Sequence, residues 1–138
     1  MTPADLAALH RACIAVPPPW PEAAFRGLSA DPLCFLLTEP GGFLVGRAVA
    51  GEAELLTLAV APGARRRGIG ARLVQRFLDQ ARRRGAARAF LEVAADNAPA
   101  TALYVRAGFA LTGLRRAYYR TPDGRPVDAL AMARDLGP

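Results

Sequence analysis

The stretch from Glu54 to Val93 constrains the fold most. It opens on Glu54 to Val60 (ELLTLAV), apolar enough to sit in the middle of a sheet. Pro62-Gly63 breaks that strand, and Arg65-Arg66-Arg67-Gly68-Ile69-Gly70 follows. From Ile69 to about Arg84 the residues Ile69, Leu73, Phe77, Leu78 and Ala81 recur at helical spacing. Gly85 is a good C-terminal stop, and Ala89 to Val93 is again an apolar strand. Strand, crossover helix and strand in this order make a βαβ unit.

The flanks add antiparallel signals. Pro3 to Val16 carries Leu6, Leu9, Cys13 and Val16 on one helical face, ended by Pro17, Pro18 and Pro19. A short helix follows Trp20, from about Pro21 to Leu28. Leu33–Thr38 and Phe43–Ala50 read as strands around a Pro40-Gly41-Gly42 turn, with Gly51 as the next turn. Asn97 caps a helix from Ala98 to Ala107, stopped by Gly108. Two strands near Ala110–Arg120 and Val127–Leu136 turn at Thr121-Pro122-Asp123-Gly124. The expected order is ααβββαβαββ in a single mixed α/β domain over 1–138, without repeats or linkers.

Composition narrows the function classes. Apolar residues make up 52% of the chain, which excludes disordered, collagen-like and coiled-coil readings. The net charge is +6, and all 18 basic residues are arginine. With 30 alanines and one asparagine, the absence of lysine reads as codon bias. Asp5, His10 and Arg11 interrupt any secretory apolar core, and no apolar run suffices for a membrane span. Cys13 and Cys34 have neither CxxC spacing nor a histidine set, so no metal site is expected, and His10 is not expected to be a ligand. A cytoplasmic monomer is the default expectation, with no membrane and no direct nucleic-acid partner.

The charge is unevenly placed. Arg65 to Arg88 holds nine arginines and one acid, a net of +8, and the rest of the chain sums to −2. Glycines at the start of a helix let the backbone approach an anion. Unpaired amides, the helix dipole and flanking arginines then favour phosphate. The GK[ST] ending of a P-loop and the third glycine of a dinucleotide fingerprint are both missing. Arg82 to Arg84 sit about 20 Å away along the helix and fit a solvated, dipole-compensating end. A nucleic-acid surface would interleave exposed aromatics with the arginines, and only Phe77 lies in this window, on the apolar stripe.

Strand, R/Q-x-x-G-x-G/A loop, amphipathic helix and strand together resemble the GCN5-related N-acetyltransferase (GNAT) family. Leu91-Glu92-Val93, Asp96-Asn97, Ala102-Leu103-Tyr104, Gly108-Phe109, Arg115 to Tyr119, Asp123-Gly124 and Asp128-Ala129 are similar to its ribosomal-protein-alanine (RimI) type, as is Pro19-Trp20 followed by Phe25. The resemblance is strong over Glu54 to Leu136 and thin over residues 1–50. It departs from the type at Ala94, where arginine is common, and at Asp96, where serine is common.

The resemblance implies a mostly antiparallel mixed sheet of six to seven strands flanked by about four helices, with acetyl-coenzyme A as co-substrate and no metal. It puts the coenzyme against the backbone of Leu58, Ala59 and Val60. The pyrophosphate falls on Arg65, Arg66, Arg67, Gly68, Ile69, Gly70 and Ala71, and the pantetheine arm on Asn97. Glu92 matches the general base and Tyr104 the general acid. On the acceptor side it suggests Trp20 and Tyr119; strand alternation would let only one of Tyr118 and Tyr119 face the site.

The implied acceptor is the N-terminal α-amine, alanine in this type, of a protein such as a small-subunit ribosomal protein. The alternatives are a small-molecule amine or another protein N-terminus. Deprotonating an α-amine at pH 7 costs about 1–1.4 kcal/mol and a lysine about 4.6 kcal/mol, so one carboxylate base suits the former. The competing readings are a solvated strand-end Glu92, a core Tyr104 and a plain N-cap at Asn97.

Overall fold

The computed structural model describes residues 1–137. The chain folds as α1 (Pro3–Cys13), α2 (Glu22–Gly27), β1 (Cys34–Glu39), β2 (Gly42–Val49), β3 (Glu52–Val60), α3 (Ile69–Arg83), β4 (Arg88–Ala94), α4 (Ala98–Arg106), β5 (Ala110–Arg120) and β6 (Pro126–Asp135), with short 3-10 turns at Leu28–Ala30 and Pro62–Ala64. This is the element order expected from the sequence. The first helix stops three residues early, ahead of the proline run. No helix among the described residues is long and apolar enough to cross a membrane.

Local chemistry sets the ends. Thr2 and Asp5 form a reciprocal capping box at the start of α1. At the end of α3, Gly85 adopts φ +82°, Ala86 N–H bonds Ala81 C=O at 3.0 Å and Gly85 N–H bonds Arg82 C=O at 3.0 Å, a Schellman motif. The same motif closes α4. Gly108 has φ +93°, Phe109 N–H bonds Tyr104 C=O at 3.0 Å, and the two rings pack edge to face 6.0 Å apart. The glycine-phenylalanine pair therefore clamps the last turn of the helix that carries Tyr104.

The strands form one sheet in the order β1-β2-β3-β4-β6-β5. All neighbours are antiparallel except β3 and β4. On one face, α3 presses Leu73, Val74, Phe77 and Leu78 onto Leu44, Leu55, Leu91 and Met132. On the other, α1 and α2 cover Phe43, Val45 and Ala59 with Leu6, Ala7 and Phe25. Gly46 permits this packing, because a β-carbon there would come within 2.4 Å of the Phe35 ring and 3.0 Å of Phe77.

A bulge in β3 reassigns its faces. Val45 pairs with Thr57 and Gly46 with Leu55, so Leu56 is the extra residue. Before it, Ala53 and Leu55 face α3; after it, Leu58 and Val60 do. Leu56, Thr57 and Ala59 turn to the α1 face. There Thr57 meets His10, which is 1% exposed and ringed by Trp20, Phe25 and Phe43.

Burial holds the His10 imidazole neutral, with its pKa down at about 4. The unfolded chain binds a proton near pH 6.5 that the fold refuses, so this contribution is complete above pH 6.5 and is lost as pH falls toward 4. Between pH 7.5 and 5.5 the stability from urea unfolding should drop by about 1.4 kcal/mol, and His10→Gln should flatten the slope. An equal slope in the variant would assign the acid sensitivity to other groups.

Candidate active site

β3 and β4 are hydrogen-bonded neighbours for only three residue pairs, Glu52–Arg88, Ala53–Ala89 and Glu54–Phe90. Beyond them β3 stays paired with β2 and β4 with β6, so the inner edges of the two strands part. Ala61 N–H bonds Gly41 C=O at 2.7 Å, toward β2. By strand alternation the peptide groups of Val60 and Leu58 point the other way, into the gap. The Val60 carbonyl takes Arg65 Nε–H at 3.2 Å and the Cys13 thiol at 3.2 Å, both side chains.

A cavity of about 280 Å³ occupies this opening. Trp20, Leu58, Glu92, Asn97, Tyr104 and Tyr119, all expected from the sequence, line it. So do His10, Glu54, Thr57 and Tyr118, which were not expected there. Ala59 is turned away into the α1 core, and Phe25 is buried among the α1–α2 aromatics.

The two faces of the sheet bring different chemistry to the gap. Leu91 and Val93 face α3 and α4, so Glu92 between them points to the α1 face. Its side chain is 30% exposed and lies 3.7 Å from Arg115 Nε. Glu54 joins it from β3. Burial, with the negative charge of Glu92, raises the Glu54 pKa, and Arg47 partly offsets this. Tyr104 comes from α4 on the opposite face and is 6% exposed. Its hydroxyl makes no hydrogen bond among the described residues, while no buried side-chain oxygen there is left unpartnered; the oxygen therefore opens onto the cavity. Burial raises its pKa, so it keeps its proton at neutral pH. A carboxylate and a protonated phenol thus approach one gap from opposite sides.

Asn97 unites both readings of that residue. Its Oδ1 accepts Ala100 N–H at 3.3 Å as the cap of α4, and the residue also borders the cavity. Asn97, Ala100 and Tyr104 form one stripe on the wall.

Tyr118 and Tyr119 both reach the cavity, where simple alternation admits one. Three residues of β5 lie between Arg115 and Tyr119, opposite the single residue Asp128 between their β6 partners, and Ala117 adopts φ +52° with its N–H on Asp128 Oδ1 at 2.8 Å. This bulge breaks the alternation, and the rings meet edge to face at 5.1 Å. Burial and the Glu92 charge raise the Tyr119 pKa.

The arginine loop leads from β3 into α3. Gly68, at φ +74°, caps the helix without a side-chain bond, so the amides of Ile69, Gly70 and Ala71 have no helical acceptor. Arg66 is also left-handed, at φ +65°. The Ile69 side chain is core, leaving only its backbone to the loop. A β-carbon on Gly70 would come within 3.0 Å of Leu103 and 4.0 Å of Val60, which joins the loop to the mouth of the gap. Most other arginines of the basic window hold the fold. Arg72 and Arg76 bind Glu39 at 2.8 and 3.0 Å, Arg84 lies over Phe35, and Arg88 pairs with Glu52. Arg66 and Arg67 are exposed and make no side-chain bond among the described residues.

Of the unexpected residues, Glu54 carried a signal in the sequence, because a charge in an apolar strand singles it out as it does Glu92. Thr57 and Tyr118 depend on bulges that leave no such mark.

Comparisons with known proteins agree with this architecture. The model of the acetyltransferase (GNAT) family matches residues 7–109. The [ribosomal protein bS18]-alanine N-acetyltransferase of Escherichia coli K12 is 41% identical over 119 residues, 83% of this chain and 80% of that protein. The N-alpha-acetyltransferase RimI of Mycobacterium tuberculosis is 41% identical over 128 residues, 86% of this chain and 77% of that one. The crystal structure of the Escherichia coli ribosomal-protein-S18-alanine N-acetyltransferase superposes with a TM-score of 0.83 at 36% identity, over 99% of this chain and 88% of that one. The split sheet, the open helix start and these relatives converge: the chain is an acetyltransferase and belongs to the GNAT family.

Proposed function

We propose that this single-domain enzyme moves the acetyl group of acetyl-coenzyme A to the N-terminal α-amine of a protein, alanine first, by direct attack in a ternary complex. The observation that carries this reading is the placement of Glu92 and Tyr104 on opposite sides of one strand gap. The relatives' names support a ribosomal protein S18 as the acceptor, and an acceptor of that kind suits a cytoplasmic enzyme.

The residues present suit the co-substrate. The open amides of Ile69 to Ala71, with Arg65, Arg66 and Arg67 beside them, suit a pyrophosphate. The free edge of β3 at Leu58 and Val60 suits the amides of a pantetheine arm, and Asn97 borders the same cavity from the start of α4. When bound, the coenzyme supplies an activated thioester.

Glu92 takes the proton of the incoming α-ammonium and passes it to solvent; the net loss of that proton to water at pH 7 costs about 1–1.4 kcal/mol. Glu54 sets a second carboxyl at the same mouth, beside the place of the acceptor amine. Tyr104, protonated at neutral pH, offers its hydroxyl hydrogen to the departing sulfur. Trp20, Tyr118 and Tyr119 wall the acceptor side.

A direct competition tests the acceptor. With acetyl-coenzyme A and two peptides, one with a free N-terminal alanine and one with only lysine amines, mass spectrometry should find the acetyl group on the alanine. Faster lysine transfer, or preference for a small amine, contradicts the reading. In the same assay Glu92→Gln should lower kcat by about 10²- to 10⁴-fold at pH 7 with coenzyme affinity retained. Full activity of that variant would remove Glu92 from the base role.

A further inference from the structure

We propose that the Thr57 hydroxyl reads the acceptor, donating its hydrogen to the first carbonyl oxygen of a peptide, and that His10 is the positioning residue that aims it. This rests on the acceptor being a protein N-terminus.

A backbone N–H only donates. Trp20 N–H lies 2.7 Å from His10 Nδ1, so Nδ1 is the accepting nitrogen and the imidazole hydrogen sits on Nε2. Nε2 is 2.8 Å from Thr57 Oγ1. His10 therefore donates and Thr57 accepts, which commits the hydroxyl's own hydrogen to some other direction. No group among the described residues receives it. Thr57 is 8% exposed, and what it still faces is the cavity. A hydroxyl hydrogen held there is a donor awaiting an acceptor.

The bulge at Leu56 decides which ligand that is. It turns Thr57 to the α1 face, with Trp20, Glu54 and Glu92, and away from Leu58, Asn97 and Tyr104, where the coenzyme is placed. An α-amine seated at Glu92 carries a carbonyl on its own α-carbon. A lysine side chain or a simple amine carries none at that distance. The contact would thus help separate N-terminal amines from lysines, beyond the difference in their pKa.

The test compares wild type with Thr57→Val on an alanine-ending peptide and on isopropylamine, which lacks the carbonyl. Thr57→Val should raise the peptide KM about 2- to 13-fold, the loss of one hydrogen bond. The KM for acetyl-coenzyme A and the rate with isopropylamine should not change. Thr57→Ser should restore the peptide KM, and His10→Gln should raise it. Thr57→Ala provides the same comparison if the valine variant fails to fold. An unchanged peptide KM in the hydroxyl-less variant, or a rise in the coenzyme KM instead, overturns the contact while the acetyltransfer reading stands. Failure of the wild type to acetylate any peptide overturns the acceptor reading itself.

Discussion

Parallel pairing between β3 and β4 lasts three residue pairs and then stops. Each strand keeps its antiparallel partner on the far side, so the sheet remains whole at one end and is open at the other. An open inner edge carries peptide groups that need partners. In a core they would be costly; here they face a cavity that a polar, amide-bearing ligand fits. The bulges in β3 and β5 belong to the same arrangement. One turns Thr57 toward α1, and the other brings two tyrosines to one wall.

The gap also sets the two groups of the proposed mechanism on separate elements. Glu92 hangs from a strand on the α1 face, near Arg115 and Glu54. Tyr104 hangs from a helix on the other face, clamped by the Gly108-Phe109 turn. Under the proposed mechanism, protons leave the amine and reach the sulfur from opposite sides of the sheet. The positive charge is divided in the same spirit: Arg72, Arg76, Arg84 and Arg88 tie helix and strands together, while the loop arginines stay at the surface beside the open helix start.

Much of this was legible before any coordinates. Periodicity and glycine stops locate every helix and strand, because Gly85 and Gly108 do what their chemistry demands. The strand-loop-helix signal, read with the resemblance it carries, points to Glu92, Asn97 and Tyr104 in one cavity. What stayed hidden has a common cause. A bulge is an offset between two strands, and one strand alone does not record it. Hence Thr57 reads as one more position in ELLTLAV, and Tyr118 reads as facing away. His10 is hidden differently: a lone histidine on an amphipathic helix shows its role only once its two ring nitrogens have partners from distant parts of the chain.

The proposed mechanism rests on the free edge of β3 being the coenzyme's partner. Amide hydrogen exchange read residue by residue, with and without coenzyme A, addresses it most directly. The Leu58 and Val60 amides, unpaired in the sheet, should exchange fast in the free enzyme and become strongly protected on binding. Ala59, which points at β2, should be protected in both states. Binding that leaves Leu58 and Val60 as fast as before would contradict the account.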